Sequence, residues 1–394
     1  MKILQLTNYP TSKPVHGGQI RCVSIANELR RAGHKVKSLS VYVAEHYSPD
    51  SDEDIPFDRT SKYWDYDLPY LTDYFSGVHV KQDADAYRKL EEIFTDFAPN
   101  VVIVEHPWLM PVARLLAKKR KRTRLVYSSH NVEYRLKEDI LHRAAVKPER
   151  REALIKDIRE LEQDAVINAD LVITCTRADA KSYRAMKNGA NIIVGGNGVE
   201  PFACRDARVS QWVSFIARPY PIFVSSAHLP NANGFWDMMS PGLTFLRPDE
   251  RMVIAGSVCD IILGMEGLKT FERFNLSRLE LLGRMEKVEL QAAVRASHVV
   301  LLPITSGEGS NLKTAEALES GCAIVGTTKA FRGFERAMTL PHVHIADDPA
   351  QFRRKVRDLL DQPRYEEGTP SAVRSKFYWS TLLKDAVDAV GALK

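Results

Sequence analysis

The sequence predicts an α/β protein made of two successive parallel-sheet domains, and three observations carry that expectation. The chain has 394 residues, more than one core usually fills. Short apolar runs alternate with helical patterns in two series, separated by a stretch at Arg205 to Arg218 that reads as a linker. In the second series, HVVLLPITSGEGSNLKTAEALESG (His298 to Gly321) reads as strand, glycine loop and helix. The expected division is residues 1–204, 205–370 and a C-terminal helix 371–394 that crosses back to the first domain. The expected fold is α/β with two Rossmann-like domains facing a central cleft.

Composition supports an ordinary globular chain, 44% hydrophobic and 27% charged. The formal charge of +5 is mild and does not point to nucleic acid. Basic residues are not interleaved with aromatics in any one module, which argues against a nucleic-acid binder. Five cysteines (Cys22, Cys175, Cys204, Cys259, Cys322) form no Cys-x-x-Cys pair, so a reduced, cytoplasmic setting is expected. The apolar run in MKILQLTNYP is too short for a signal peptide, and no stretch approaches the ~20 apolar residues of a membrane span.

Ile3 to Leu6 reads as the first strand, and Gly17-Gly18-x-x-Arg21 opens a helix to about Ala32 before a strand at Lys35 to Val43. Gly17 and Gly18 either bring backbone amides to a ligand beside Arg21 or are plain turn residues. Glu45 to Gln82 is long and aromatic, with Tyr47, Phe57, Tyr63, Trp64, Tyr66, Tyr70, Tyr74 and Phe75. It reads as an acceptor-binding insert or as an irregular packing segment with one short helix. Asp83-Ala-Asp85 resembles a metal-binding Asp-x-Asp, but it opens the helical stretch Asp83 to Phe97. Acids at a helix N-terminus explain it better, and no metal is expected. Strands follow at Val101 to Glu105 and Arg124 to Ser128. Between them, ARLLAKKRKRTR (Ala113 to Arg124) is either a solvated helix end or a face for anionic lipid. His130 comes directly after a strand C-terminus, where open α/β sheets present ligand groups. A helix over Pro148 to Asn168 and strands at Leu171 to Thr174 and Asn191 to Val194 complete the first series. Arg205 to Arg218 reads as a linker.

The second series places strands at Ile222 to Ser226, Met252 to Ala255, Leu279 to Leu282, His298 to Leu302, Ala323 to Gly326 and His342 to Ala346. Helices are expected from Asn233, over Met265 to Phe274 and over Lys287 to Ala296. The helix after the glycine loop begins near Ser310 or Asn311. Its first amides and positive dipole end suit a phosphate, and Lys313 adds a full charge. Glu308 precedes this helix and Glu316 lies about 1.5 turns inside it. Helical side chains lean toward the N-terminus, so Glu316 still reaches the ligand end. Carboxylates accept well from vicinal hydroxyls, so the pair suits a sugar on one side of a diphosphate and a ribose on the other. The competing reading is a surface acid on the helix and a solvated acid in the loop.

The glutamate, seven residues, glutamate pattern resembles the signature of GT-B fold retaining glycosyltransferases, family 4-like (group 1). Gly17-Gly18, His130, GNGVEPF (Gly196 to Phe202) and LLGRMEKVELQAAVRASHVVLLP (Leu281 to Pro303) agree with it, so the resemblance covers nearly the whole chain. It implies that Glu308 contacts the donor sugar and that Ser310, Asn311, Leu312 and Lys313 bind the diphosphate. It further implies that Glu316 binds the ribose, that His130 sits by the transferred sugar and that Gly18 is near the donor phosphates. The loop Gly283-Arg284-Met285 would line the base. One departure stands out. Relatives clamp the diphosphate with an arginine and a lysine after the first strand of the second domain. Here that place reads SSAHLPNANGFW (Ser225 to Trp236), with no basic residue, and resembles a subgroup carrying Pro-Asn. Lys313, Arg284 or Arg21 must then meet the phosphate charge.

The function expected is a retaining, metal-independent glycosyltransferase. It would move sugar from a nucleoside-diphosphate sugar to a hydroxyl acceptor: a cell-envelope glycan, a lipid-linked glycan or a metabolite. Other readings are a nucleotide-sugar epimerase or hydrolase and a non-catalytic sugar-nucleotide-binding partner. No cofactor beyond the sugar nucleotide is expected. A peripheral contact with the inner face of a membrane is a further expectation.

Overall fold

The computed structural model describes residues 1–47, 51–58, 61, 68, 71–307, 310–365 and 370–393. The chain divides into two compact units, Met1–Gly196 with Leu382–Lys394, and Asn197–Thr381. The boundary lies eight residues before the one expected at 204, and the returning segment starts at Leu382 rather than at 371.

The first unit holds β1 (Lys2–Thr7), β2 (Lys35–Val43), β3 (Ile55–Phe57), β4 (Val101–Glu105), β5 (Arg124–Ser128), β6 (Leu171–Thr174) and β7 (Ile192–Val194). They form one sheet in the order β3-β2-β1-β4-β5-β6-β7, and every neighbouring pair is parallel. Strands β1 and β4 are almost wholly buried, as a sheet covered on both faces requires. Chain order reverses between β1 and β4, so the switch point of this sheet lies there. The C-terminal helix Lys384–Gly391 packs on the helix Gly17–Arg31 and on β6 and β7.

The second unit holds β8 (Pro221–Val224), β9 (Met252–Ala255), β10 (Leu279–Gly283), β11 (Val299–Leu302), β12 (Ala323–Gly326) and β13 (Val343–Ile345). Their order is β10-β9-β8-β11-β12-β13, again all parallel. The switch point here is between β8 and β11. Both units are thus Rossmann-like α/β sheets.

Three elements differ from the sequence reading. Arg205 to Arg218 is largely helix, Asp206–Ile216, and not a linker. Val209, Trp212 and Ile216 give it one half-buried face against the helix Lys287–Ala296, and Arg208 and Trp212 both donate to Glu289. The insert contributes a strand, β3, on the sheet edge. Buried Asp54 accepts from the Ser40 amide at 2.8 Å just before β3 pairs with β2. It also contributes the helix Thr72–Gln82. Tyr63, Trp64, Tyr66 and Tyr70 lie outside the described residues. The stretch Met265 to Phe274 is two short helices, Glu266–Lys269 and Glu272–Arg278. Asp83 is the N-cap of the helix Ala84–Phe97, accepting from the amides of Asp85 and Ala86. Among the described residues no helix is long and apolar enough to cross a membrane.

Candidate functional site

In the second unit the helix Leu312–Ser320 starts at the C-terminal end of β11, beside the switch point. Asn311 is its N-cap, the side chain accepting from the Lys313 amide at 3.3 Å. Gly321, at φ +70, closes it in the left-handed conformation that glycine adopts most easily. Ser310 Oγ is buried and finds no hydrogen-bond partner among the described residues. Leu312 is half-buried in the first turn. Glu308 lies outside the described residues.

Lys313 carries most of the chemistry visible here. Its Nζ donates to Asn231 Oδ1 at 2.8 Å. Asn231 belongs to the helix Leu229–Met239 that follows β8, so the contact joins the two helices flanking the switch point. Burial lowers the Lys313 ammonium to about 8, with Glu316 opposing the shift. Burial raises the Glu316 carboxyl above its ordinary value, with Lys313 and Lys287 opposing. Glu316 nonetheless keeps exposed side-chain surface, so protein crowds around it without sealing it from water.

The sequence reading passed over Lys329 and Arg332, which follow β12. Lys329 Nζ donates to Thr305 O at 3.3 Å and Arg332 Nη1 to Gly307 O at 2.5 Å, so two cations hold the loop from behind. The segment GNGVEPF runs along the same helix: Asn197 Nδ2 donates to Ser310 O at 3.2 Å and the Phe202 amide to Glu319 at 3.0 Å. Arg284 is not brought to this group. It follows β10, which β9 and β8 separate from β11, and pairs with Asp260 at an exposed position.

A glycine sets the loop's height. Gly234 sits inside the helix Leu229–Met239, where an added Cβ would lie 2.3 Å from Pro303 O and 3.2 Å from Thr305 Oγ1. Gly234→Ala is expected to cost about 1–3 kcal/mol and to push the Pro303–Ser306 turn outward. Chemical denaturation and nucleotide affinity, both weakened, would show it.

In the first unit the sequence-selected residues gather at the other switch point. Gly17 is the first residue of the helix Gly17–Arg31, capped by His16. Gly18 has Tyr9 pressed against it, since an added Cβ would lie 2.4 Å from Tyr9 Oη. Arg21 is buried in the same helix. His130 is 7% exposed and both its ring nitrogens are engaged: Nε2 with Glu105 Oε2 at 3.0 Å, Nδ1 with Tyr9 Oη at 3.3 Å. Burial and the neighbouring His106 lower the His130 imidazole to about 4. Burial and His106 act in the same way on His16, also to about 4. Tyr9, Glu105, His106 and Glu133 escaped the sequence reading. Their one signal was position: Tyr9, Glu105 and His106 lie at or just past a strand C-terminus, and Glu133 opens the helix that follows His130. His106 also sits at φ +67, a left-handed conformation uncommon outside glycine, of the kind found at functional sites.

Two parallel Rossmann-like sheets, each with polar groups at its switch point, define a two-domain α/β protein of the GT-B class. The chain belongs to the glycosyltransferases. It matches the Glycosyl transferase 4-like domain over residues 16–198 and the Glycosyl transferases group 1 domain over residues 222–362. Solved structures share the fold. Anabaena HepE in complex with UDP is 14% identical, with TM-score 0.65 and 100% of both chains covered. Sucrose-phosphate synthase from Thermosynechococcus elongatus is 13% identical, with TM-score 0.68 and 100% and 99% covered. The UDP-forming α,α-trehalose-phosphate synthase from Burkholderia xenovorans, in complex with glucose-6-phosphate, is 14% identical, with TM-score 0.65 and 99% and 100% covered. No curated protein matches the sequence.

Proposed function

We propose that this glycosyltransferase is a retaining enzyme that transfers sugar from a nucleoside-diphosphate donor to a hydroxyl acceptor. The observation that carries the reading is Lys313, lodged against Asn231 at the switch point and in the first turn of the helix Leu312–Ser320. A diphosphate placed there meets a helix N-terminus and a cation together. Ser310 Oγ adds a hydroxyl in need of a partner. Glu316 accepts from ribose hydroxyls and Glu308 from the sugar. Arg332, fixed on Gly307 O, and Lys329 replace the missing clamp after β8 by holding the loop and its potential.

Departure of the nucleoside diphosphate is the central event. The bond from the anomeric carbon to the phosphate oxygen breaks, and the acceptor oxygen bonds the same face. The acceptor proton passes to the departing phosphate oxygen. The chain supplies orientation and charge, and this chemistry calls for no metal at the diphosphate. UDP in HepE is in keeping with a nucleoside-diphosphate donor, and glucose-6-phosphate in trehalose-phosphate synthase with a hydroxyl-bearing metabolite as acceptor.

The test is a thermal-shift screen of UDP, GDP, ADP and TDP, followed by product analysis with the matching sugar nucleotide, with and without acceptors. A nucleotide at about 100 times its Kd stabilises by about 2.7 kcal/mol. Transfer that depends on acceptor supports the reading. A changed sugar nucleotide without acceptor, or no response to any nucleotide, overturns it. A peripheral membrane contact through Lys118, Lys119 and Arg120 is a separate part of the proposal. Reversing these three charges is expected to weaken binding to anionic vesicles by several-fold in co-sedimentation, and unchanged binding would remove this part.

A further inference from the structure

Beyond the transferase reading, and in place of the role beside the transferred sugar that the resemblance implies for His130, we infer that Cys22, Glu105 and His130 form a buried site for one zinc-class divalent metal ion. The three side chains come from the helix Gly17–Arg31, from the end of β4 and from the residue second after β5. Cys22 and Glu105 are fully buried and His130 is 7% exposed. Cys22 Sγ lies 3.8 Å from His130 Nε2, and His130 Nε2 lies 3.0 Å from Glu105 Oε2. All three donor atoms fall within 4.8 Å of one another. Ligands around zinc at bond lengths of about 2.0–2.3 Å stand roughly 3.3–3.8 Å apart, so the two pairs at His130 already have that spacing to within a few tenths of an ångström, and drawing Cys22 and Glu105 together takes at most about 1 Å. Thiolate, imidazole and carboxylate together favour zinc among the common divalent ions.

Counting hydrogen-bond protons gives the second argument. His106 Nδ1 faces Glu133 Oε1 at 2.9 Å and must carry a proton to donate to that carboxylate. Its Nε2, 2.9 Å from Tyr9 Oη, is then an acceptor. If His130 donates from Nε2 to Glu105, its Nδ1 is an acceptor as well. Two bare nitrogens then face the single proton of the Tyr9 hydroxyl. If His130 carries its proton on Nδ1 instead, the chain resolves. Nδ1–H donates to Tyr9 Oη, Tyr9 donates to His106 Nε2, and His106 donates to Glu133. Nε2 then points a lone pair at the Glu105 carboxylate with the Cys22 thiol, 3.8 Å away, as its one long donor, and a positive centre among the three relieves that repulsion. An extra proton would serve. But a proton makes no use of the sulfur on the third side, whereas a soft divalent ion binds it.

The surroundings fit a metal shell. Gln5 Nε2 donates to the other Glu105 oxygen at 2.7 Å and to Cys22 O at 2.9 Å, fixing the carboxylate. The Tyr9–His106–Glu133 chain orients the ring of His130 from behind, as outer partners of metal-bound imidazoles do. On binding, the Cys22 thiol loses its proton to solvent. Thiolate and carboxylate then match the charge of the ion, and the buried set is neutral.

The experiment uses the full chain, stripped with a chelator, dialysed and titrated with zinc or cobalt(II). One equivalent should bind, raise the melting temperature and, with cobalt, give a thiolate-to-metal charge-transfer absorption. Cys22→Ser should abolish that absorption. Tyr9→Phe, which keeps all three ligands, should keep the absorption and weaken affinity about 10–100-fold. If the wild-type chain binds no stoichiometric metal and shows no thiolate absorption, the positive centre is a proton and the inference fails. An absorption that survives in folded Cys22→Ser places the ion elsewhere and also overturns it. If Cys22→Ser fails to fold, the Tyr9→Phe titration decides: an affinity equal to that of the wild type places the ion away from His130 and overturns the inference.

Discussion

Replacing Lys313 with methionine is expected to lower the turnover number for sugar transfer by about 10²–10³-fold, the usual loss when one preorganised charge is removed from a leaving group. Methionine keeps the length and apolar stem and deletes the charge that Asn231 Oδ1 accepts from at 2.8 Å. Donor affinity should fall less than turnover, because negative charge grows on the diphosphate as the bond breaks. Stopped-flow or steady-state kinetics beside calorimetric binding separates the two. The pH dependence has a defined sign. The folded ammonium titrates at about 8, below the usual 10.5, because burial disfavours its charge. Above about pH 8 the free enzyme loses this cation, and nucleotide-diphosphate binding should weaken up to tenfold per pH unit and take up a proton. Stability moves the other way. Between about pH 8 and 10.5 the unfolded chain binds more protons than the folded one, so stability rises with pH in that window. Lys313→Met should remove both slopes. If binding of the wild-type protein is flat from pH 7 to 9, Lys313 does not face the diphosphate.

What the sequence could disclose was local, and what it hid was long-range. The strands were legible because a parallel sheet covered on both faces demands continuous apolar runs, as in VVIVE at β4 and VVLL at β11. The strand–loop–helix around Lys313 was legible for the same reason, with Asn311 as cap and Gly321 as terminator. β3 was not, since three residues with a proline at the centre carry no period, and only pairing with Val41 to Val43 makes them a strand. The helix Asp206–Ile216 was missed because its inward face is only half-buried and the exposed apolar residues Val213 and Phe215 blur the helical period. At the site, Asn231 was visible as half of a Pro-Asn pair, but its meaning depends on β8 lying beside β11. Tyr9 and His106 are 97 residues apart and meet only because β1 lies beside β4. Lys329 and Arg332 lie in a turn with no periodic signal, and their grip on the loop is set by β12 pairing with β11.

The second large effect concerns Glu162, a residue with no part in the chemistry. It is fully buried in the helix Pro148–Asn168 and accepts from the amides of Glu133 and Tyr134 at 2.8 and 3.1 Å and from Tyr183 Oη at 2.6 Å. The helix Glu133–Arg143 has no side-chain cap of its own, so Glu162 caps it from a neighbouring helix. Glu162→Ala would strand two amides in the core and leave Tyr183 to donate to Asn131 O instead, and is expected to cost roughly 3–5 kcal/mol by chemical denaturation. The turn carrying His130 should loosen with it. Burial first, and Glu133 second, raise the carboxyl to about 7. The sign follows from linkage. The unfolded carboxyl titrates near 4.3, so between about pH 4.3 and 7 the folded chain holds the extra proton. Its contribution is full at low pH and is lost as pH rises through 7, where a buried charge must be tolerated. Glu162→Gln keeps an acceptor and cannot ionise. It should therefore match or exceed the wild-type stability at pH 8, fall below it near pH 5 and flatten the slope between. A Glu162→Gln curve parallel to the wild type across that range would show that Glu162 stays ionised in the folded protein, capping the helix as a carboxylate throughout.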